Sequence, residues 1–196
     1  MTAPDVNDVL TTEELLHLAI EASNRERYDL SISYLKAAIG RAEQPDARLA
    51  FMLGSQYAQI KMFDDARQWL EQSVAIDPDF EIAVFQLGLM YLLGNDMANN
   101  ERVWAHLDRL PPEHALRCFR EGLLAIARDQ FDAGVAAIEQ GLAVGYANPP
   151  LLEEMRKVIA NVATLRAAAP TPAVEAAAPA AEEATGEHVL LSAYRE

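Results

Sequence analysis

Four histidines, one cysteine and thirty carboxylates are the side chains in this 196-residue chain that could do chemistry. Histidine is the usual general base near neutral pH and a common metal ligand, so spacing decides what these four can do. His17, His106, His114 and His188 lie far apart, and no pair has the HxxxH or HExxH spacing that puts two imidazoles on one helix face. His17 precedes an apolar stripe and His106 stands among polar neighbours, the settings of ordinary surface or half-buried histidines. Cys118 has no second thiol, which excludes an internal disulfide and a multi-cysteine metal centre. A nucleophilic thiol needs a nearby imidazole and a basic setting. His114, four residues upstream, is the one pairing of that kind, and otherwise Cys118 reads as a small buried hydrophobe. The carboxylates cluster as adjacent pairs, Asp64–Asp65, Glu153–Glu154 and Glu182–Glu183, and adjacent side chains on a helix do not face each other. There is no glycine-rich phosphate loop. The chain therefore reads as a non-enzyme, with no catalytic residue, no metal site and no cofactor.

The net charge of −14 argues against nucleic acid, whose phosphates such a field repels, and favours partners that carry basic residues. The first ten residues, MTAPDVNDVL, have neither a basic segment nor an apolar one, so they do not read as a secretory signal. No run reaches the ~18 to 20 apolar residues that span a bilayer. A lone thiol suits a reducing compartment. These features predict a soluble, cytoplasmic protein without membrane insertion.

What the chain does contain is a period. Ala19, Gly54, Gly88 and Gly122 follow one another at steps of 35, 34 and 34, and nine residues after each stands a large apolar side chain: Tyr28, Phe63, Met97, Phe131. Leu53-Gly54 with Tyr57 and Leu87-Gly88 with Tyr91 repeat the same string. A small residue lets a partner helix approach closely, and the large residue nine places on is expected to fill the space at the turn. Each unit is then two antiparallel helices that cannot bury their apolar stripes alone, so successive units must stack.

This pattern resembles the tetratricopeptide repeat family over roughly residues 12 to 148. The best match is LAFMLGSQYAQIKMFDDARQWLEQSVAIDP, ending at Pro78. The first unit has Ala19 and Ala22 where Gly and Tyr are common. The third has Asn100 at a usually small position, and the fourth has Glu121 where Leu is usual and Gly134 and Gly141 at helix contacts. The resemblance implies an all-α, right-handed superhelical solenoid of about four helical hairpins. After Pro149-Pro150, residues Leu151, Leu152, Met155, Val158, Ile159, Val162 and Leu165 fall on one helical stripe, which predicts a capping helix over the last apolar face.

The organisation read from these signals is an extension over 1–11, a solenoid with its cap over 12–166, an Ala/Pro/Glu-rich linker over 167–186, and a terminal apolar motif over 187–196. That motif carries Val189, Leu190, Leu191 and Tyr194, and reads as a docking segment on a tether whose root-mean-square span is roughly 25 Å.

In tetratricopeptide folds the first helix of each hairpin lines a concave groove. Carried over by register, the resemblance places Leu16, Phe51, Phe85 and Phe119 on that groove, with Ile20, Leu89 and Leu123 at its ninth position and Leu92 and Ile126 at its twelfth. The wall so formed is apolar. Family members that clamp an acidic chaperone tail place Lys, Asn and Arg there, so a carboxylate clamp is disfavoured. The predicted function is to bind an apolar segment of a partner protein, with a weaker resemblance to the small tetratricopeptide chaperones of bacterial secretion systems. The alternative is an adaptor whose terminal motif docks to a second partner or to its own groove.

Overall fold

The computed structural model describes residues 10–168, and every regular element among them is a helix. In chain order they are α1 (Thr12–Asn24), α2 (Tyr28–Arg41), α3 (Ala47–Gln59), α4 (Phe63–Ile76), α5 (Glu81–Leu93), α6 (Met97–Trp104), a 3-10 turn (Ala105–Arg109), α7 (Ala115–Ala127), α8 (Phe131–Val144) and α9 (Pro149–Ala168). The fold is all-α, built of antiparallel hairpins. The chain divides after His106 into two compact bodies. In the first body α1–α2, α3–α4 and α5–α6 pair as hairpins, with α2 against α3 and α4 against α5. In the second, α7 pairs with α8, and α9 covers α8. The terminal motif Val189, Leu190, Leu191 and Tyr194, most of the linker and His188 lie outside the described residues.

Side-chain caps start α1, α3 and α7, whereas α5 begins at Phe80 without one. Thr11 and Glu14 form a capping box at α1, with the Glu14 N–H donating to Thr11 Oγ1 at 3.2 Å and the Thr11 N–H donating back to Glu14 Oε2 at 2.8 Å. Asp46 caps α3 through the Arg48 N–H at 2.8 Å, and His114 Nδ1 accepts the Leu116 N–H of α7 at 3.3 Å. Asn148 accepts the Leu151 N–H, and Pro149 and Pro150 occupy the first turn of α9, where their missing donors cost nothing.

The turn inside each hairpin is the same Schellman motif four times. Glu26, Lys61, Asn95 and Asp129 sit in the left-handed region at φ 57°, 63°, 55° and 59°. In each case the following N–H reaches back five residues: Arg27 to Ala22, Met62 to Tyr57, Asp96 to Tyr91, Gln130 to Ala125.

The hairpin crossings are where the small residues act. A Cβ on Gly54 would lie 2.9 Å from Leu70 Cγ and 3.1 Å from Ala66 O. Gly122 and Gly134 face each other: a Cβ on either would come within 3 Å of the other's carbonyl oxygen. Gly88 lies flat against the Trp104 indole. The side chain that fills each crossing stands sixteen residues after the small one: Leu35, Leu70, Trp104 and Ile138, each at most 2% exposed. The residues nine places on, expected to fill that space, do not. Phe63 is 40% exposed and Tyr28, Met97 and Phe131 are half-buried, because they open the second helices at the turn edge rather than at the crossing.

The third hairpin departs from its siblings. Its second helix, α6, has 8 residues where the others have 14, and passes into the 3-10 turn before Pro111-Pro112. The residue before a proline is steered out of the helical region, which ends any continuation. Asn100, at the place of Ser31, Ala66 and Gly134, donates its Nδ2 to Gly88 O at 2.8 Å, as the Ser31 hydroxyl donates to Ala19 O at 2.9 Å.

Candidate functional site

Of the nine residues the register placed on a groove, six are core. Phe85, Leu89, Leu92, Phe119, Leu123 and Ile126 are all at most 5% exposed and present no surface to a partner. The reason lies opposite them. Phe85 stacks on Trp104 with centroids 5.8 Å apart, and Phe119 lies over Gly141, where a Cβ would come 2.5 Å from its Cε1. A tryptophan that offers a ring face and a glycine that leaves room draw both phenylalanines against their own second helices. Hairpin two has Ser73 at the place of Gly141, with its hydroxyl donating to Ala47 O at 2.7 Å, and Phe51 turns elsewhere.

The other three stay accessible, and all belong to α1 and α3. Ile20 is 40% exposed, and Leu16 and Phe51 are half-buried. Beneath them the core is complete, since Leu15, Ala19 and Leu53 are fully buried. Phe51 meets Phe80 edge to face at 5.2 Å. Sequence reasoning missed Phe80. Its signal was a large apolar residue set just outside a helix, after Pro78-Asp79, with no stripe of its own.

One turn beyond these apolar residues the first helices are joined by polar bonds. Gln56 Nε2 donates to Ser23 Oγ at 3.1 Å, tying α3 to α1. Ser55 Oγ lies 2.9 Å from Phe51 O and 3.0 Å from Gln86 Oε1, tying α3 to α5. The face is thus oily toward the helix starts and amide-rich toward their ends. At the starts, Arg48 binds Asp46 through Nη2 at 2.8 Å and Nε at 3.3 Å, and this bonding holds the Asp46 carboxyl below the usual carboxylate range. Glu13 also acts on the Arg48 guanidinium.

The chemically reactive candidates are placed plainly. His17 and His106 are exposed, and His114 caps α7 with its ring edge-on to Tyr146 at 5.9 Å. Cys118 is 2% exposed, and its Sγ lies 3.8 Å from Glu113 O and 3.9 Å from Pro112 O. Burial pushes its thiol pKa up, away from the thiolate a nucleophile needs. Among the described residues no group of three His, Cys, Asp or Glu is arranged to hold a metal ion, and no helix is long and apolar enough to cross a membrane.

A family model described as the tetratricopeptide repeat matches residues 47–80, which are α3, α4 and the approach to α5. Residues 47–80 are a tetratricopeptide repeat. The chain's other three hairpins carry the small residue of the tetratricopeptide crossing at the same period. The heat shock protein STI1 of Saccharomyces cerevisiae is 27% identical over 148 residues, covering 76% of this chain; the chain spans only 25% of that relative's length. The crystal structure of MamA shares this chain's fold, with a TM-score of 0.55 and 20% identity over 67% of this chain and 77% of that one. Tetratricopeptide repeats are modules of protein–protein interaction, and that coarse function holds here.

Proposed function

We propose that this chain holds an apolar segment of a partner protein on the inner face of α1 and α3, with Leu16, Ile20 and Phe51 as the contact surface. One observation carries the reading. Ile20 is 40% exposed, and Leu16 and Phe51 are only half-buried, on a face whose deeper core of Leu15, Ala19 and Leu53 is already closed. The similarity to a heat shock protein agrees with a chaperone-like role in which such a segment is shielded. Calorimetric titration with a synthetic leucine-rich peptide should give saturable binding. Ile20→Ser and Phe51→Ser should each weaken it about ten-fold, the cost of about 1.4 kcal/mol of lost apolar contact. Binding unchanged in both variants, with helicity intact, would end the proposal.

An adaptor role is the second reading, and the sequence of the terminal motif supports it: Val189, Leu190, Leu191 and Tyr194 restore large apolar residues after a stretch that has few. Deleting 187–196 should then abolish one interaction and leave the peptide titration unaltered.

A further inference from the structure

We infer that the segment held on α1 and α3 is basic as well as apolar, a stretch in which Lys or Arg accompanies large aliphatic side chains. This rests on the reading that the α1–α3 face is a docking surface, and adds the chemistry of its occupant.

The charge of the chain is not evenly spread. Residues 10–106, the body that carries the face, contain fifteen Asp and Glu against eight Lys and Arg, while residues 107–168 contain eight against seven. The excess that a partner would meet therefore belongs to the body with the accessible apolar strip. Beside the strip the balance is also negative. Glu13 is exposed one helical turn before Leu16. Of the cations at that end, Arg48 is already bound by Asp46 and Arg41 donates to the Leu10 carbonyl at 2.7 Å. At the other side, exposed Asp77 and Asp79 immediately precede Phe80, whose ring meets Phe51. A carboxylate rim around an apolar strip attracts and orients a cationic segment, chiefly through association rate and in a salt-dependent way.

The same charge speaks against the chain's own terminus as the occupant. Residues 169–196 hold five carboxylates, Glu175, Glu182, Glu183, Glu187 and Glu196, against the single Arg195. Like charges facing each other across a desolvated contact disfavour it. A partner supplying cations is the better complement.

The test uses the full chain and three synthetic peptides sharing one amphipathic pattern: Leu with Lys, Leu with Glu, and Ser with Lys. Binding is followed by fluorescence anisotropy. The Leu/Lys peptide should bind tightest and weaken about ten-fold as salt rises from about 50 mM to about 300 mM. Glu13→Gln with Asp77→Asn should weaken it several-fold at low salt and leave far-ultraviolet circular dichroism unchanged. Equal binding of the Leu/Glu peptide would overturn the basic occupant while leaving the apolar face standing. Equal binding of the Ser/Lys peptide would instead remove the apolar face, and failure of both leucine peptides would remove both readings. A peptide of residues 187–196 should not displace Leu/Lys. If it does, the occupant is the chain's own terminus and the inference fails.

Discussion

Trp104 donates its indole N–H to the carbonyl of Phe85 at 2.9 Å while its ring stacks on the Phe85 ring at an interplanar angle of 22°. Both side chains are at most 2% exposed, so the indole is held on two sides and cannot swing. The hydrogen of Gly88 is what lets it lie there, because a Cβ at that position would enter the indole. Gly88→Ala should therefore destabilise the first body by about 1–3 kcal/mol, the range for overpacking a rigid site. Gly40 in α2 is the control: nothing lies within 4 Å of the Cβ it lacks. Gly40→Ala should stabilise by about 0.5 kcal/mol through helix propensity. Urea denaturation of the two variants should move the midpoints in opposite directions.

The four left-handed turn residues are not equally suited to their conformation. Asn95 and Asp129 tolerate it through short polar side chains, whereas Glu26 and Lys61 are long residues in a region that costs L-residues about 1–2 kcal/mol. Lys61→Asn should recover part of that, about 0.5–1 kcal/mol, and raise the thermal midpoint. Asn95→Lys should lower it by a similar amount. A fall in midpoint for Lys61→Asn would mean that the lysine makes a compensating contact.

Asn100 is fully buried; its Nδ2 is bonded to Gly88 O, and its Oδ1 has no hydrogen-bond partner. An orphaned buried acceptor costs about 1–3 kcal/mol, enough to cancel the bond the other half makes. Asn100→Ser copies Ser31 of the first hairpin, keeps a donor for the carbonyl and removes the orphan, so it should change stability by less than about 1 kcal/mol despite the lost volume. Asn100→Asp should be far worse at neutral pH, by about 3 kcal/mol or more, since it buries a carboxylate against a carbonyl oxygen. Equilibrium denaturation separates the two substitutions cleanly.

The period of 34 made the hairpins legible because Ala19, Gly54, Gly88 and Gly122 are placed by backbone contact, which tolerates few alternatives. A second set of residues keeps the same period. Leu35, Leu70, Trp104 and Ile138 keep it sixteen residues on, and they, rather than Phe63 and its equivalents, fill the crossings. Of the nine residues that the register placed on a groove, only Leu16, Ile20 and Phe51, in the first two hairpins, are accessible. Whether a fifth-position phenylalanine faces outward depends on what stands across the hairpin. Trp104 and Gly141 draw Phe85 and Phe119 inward, while across from Ser73 Phe51 stays half-buried against Phe80. That outcome is set by pairs of residues about twenty apart acting together, and a position-by-position register cannot express it. The short α6 was foreshadowed by Pro111-Pro112, yet a strict repeat count passes over such an interruption.

Tyr91 gives the fold a measurable response to alkali. It is 6% exposed, and its hydroxyl donates to Glu71 Oε1 at 2.6 Å, joining α5 to α4. Burial first, and then the bond and charge of Glu71, push its pKa from 10.0 up to about 12. A phenol whose folded pKa exceeds its unfolded value contributes stability that is complete below the unfolded pKa and fades as pH climbs through the folded one. The intact chain should thus lose stability between pH 10 and about 12. Tyr91→Phe gives up the hydrogen bond, so it should be less stable by about 1 kcal/mol below that window. It has no phenol to ionise, so its stability should stay flatter across the window and the two curves should converge. Denaturation midpoints taken at closely spaced alkaline pH values would show this, and parallel curves would mean that the folded body does not raise the tyrosine's pKa above its unfolded value.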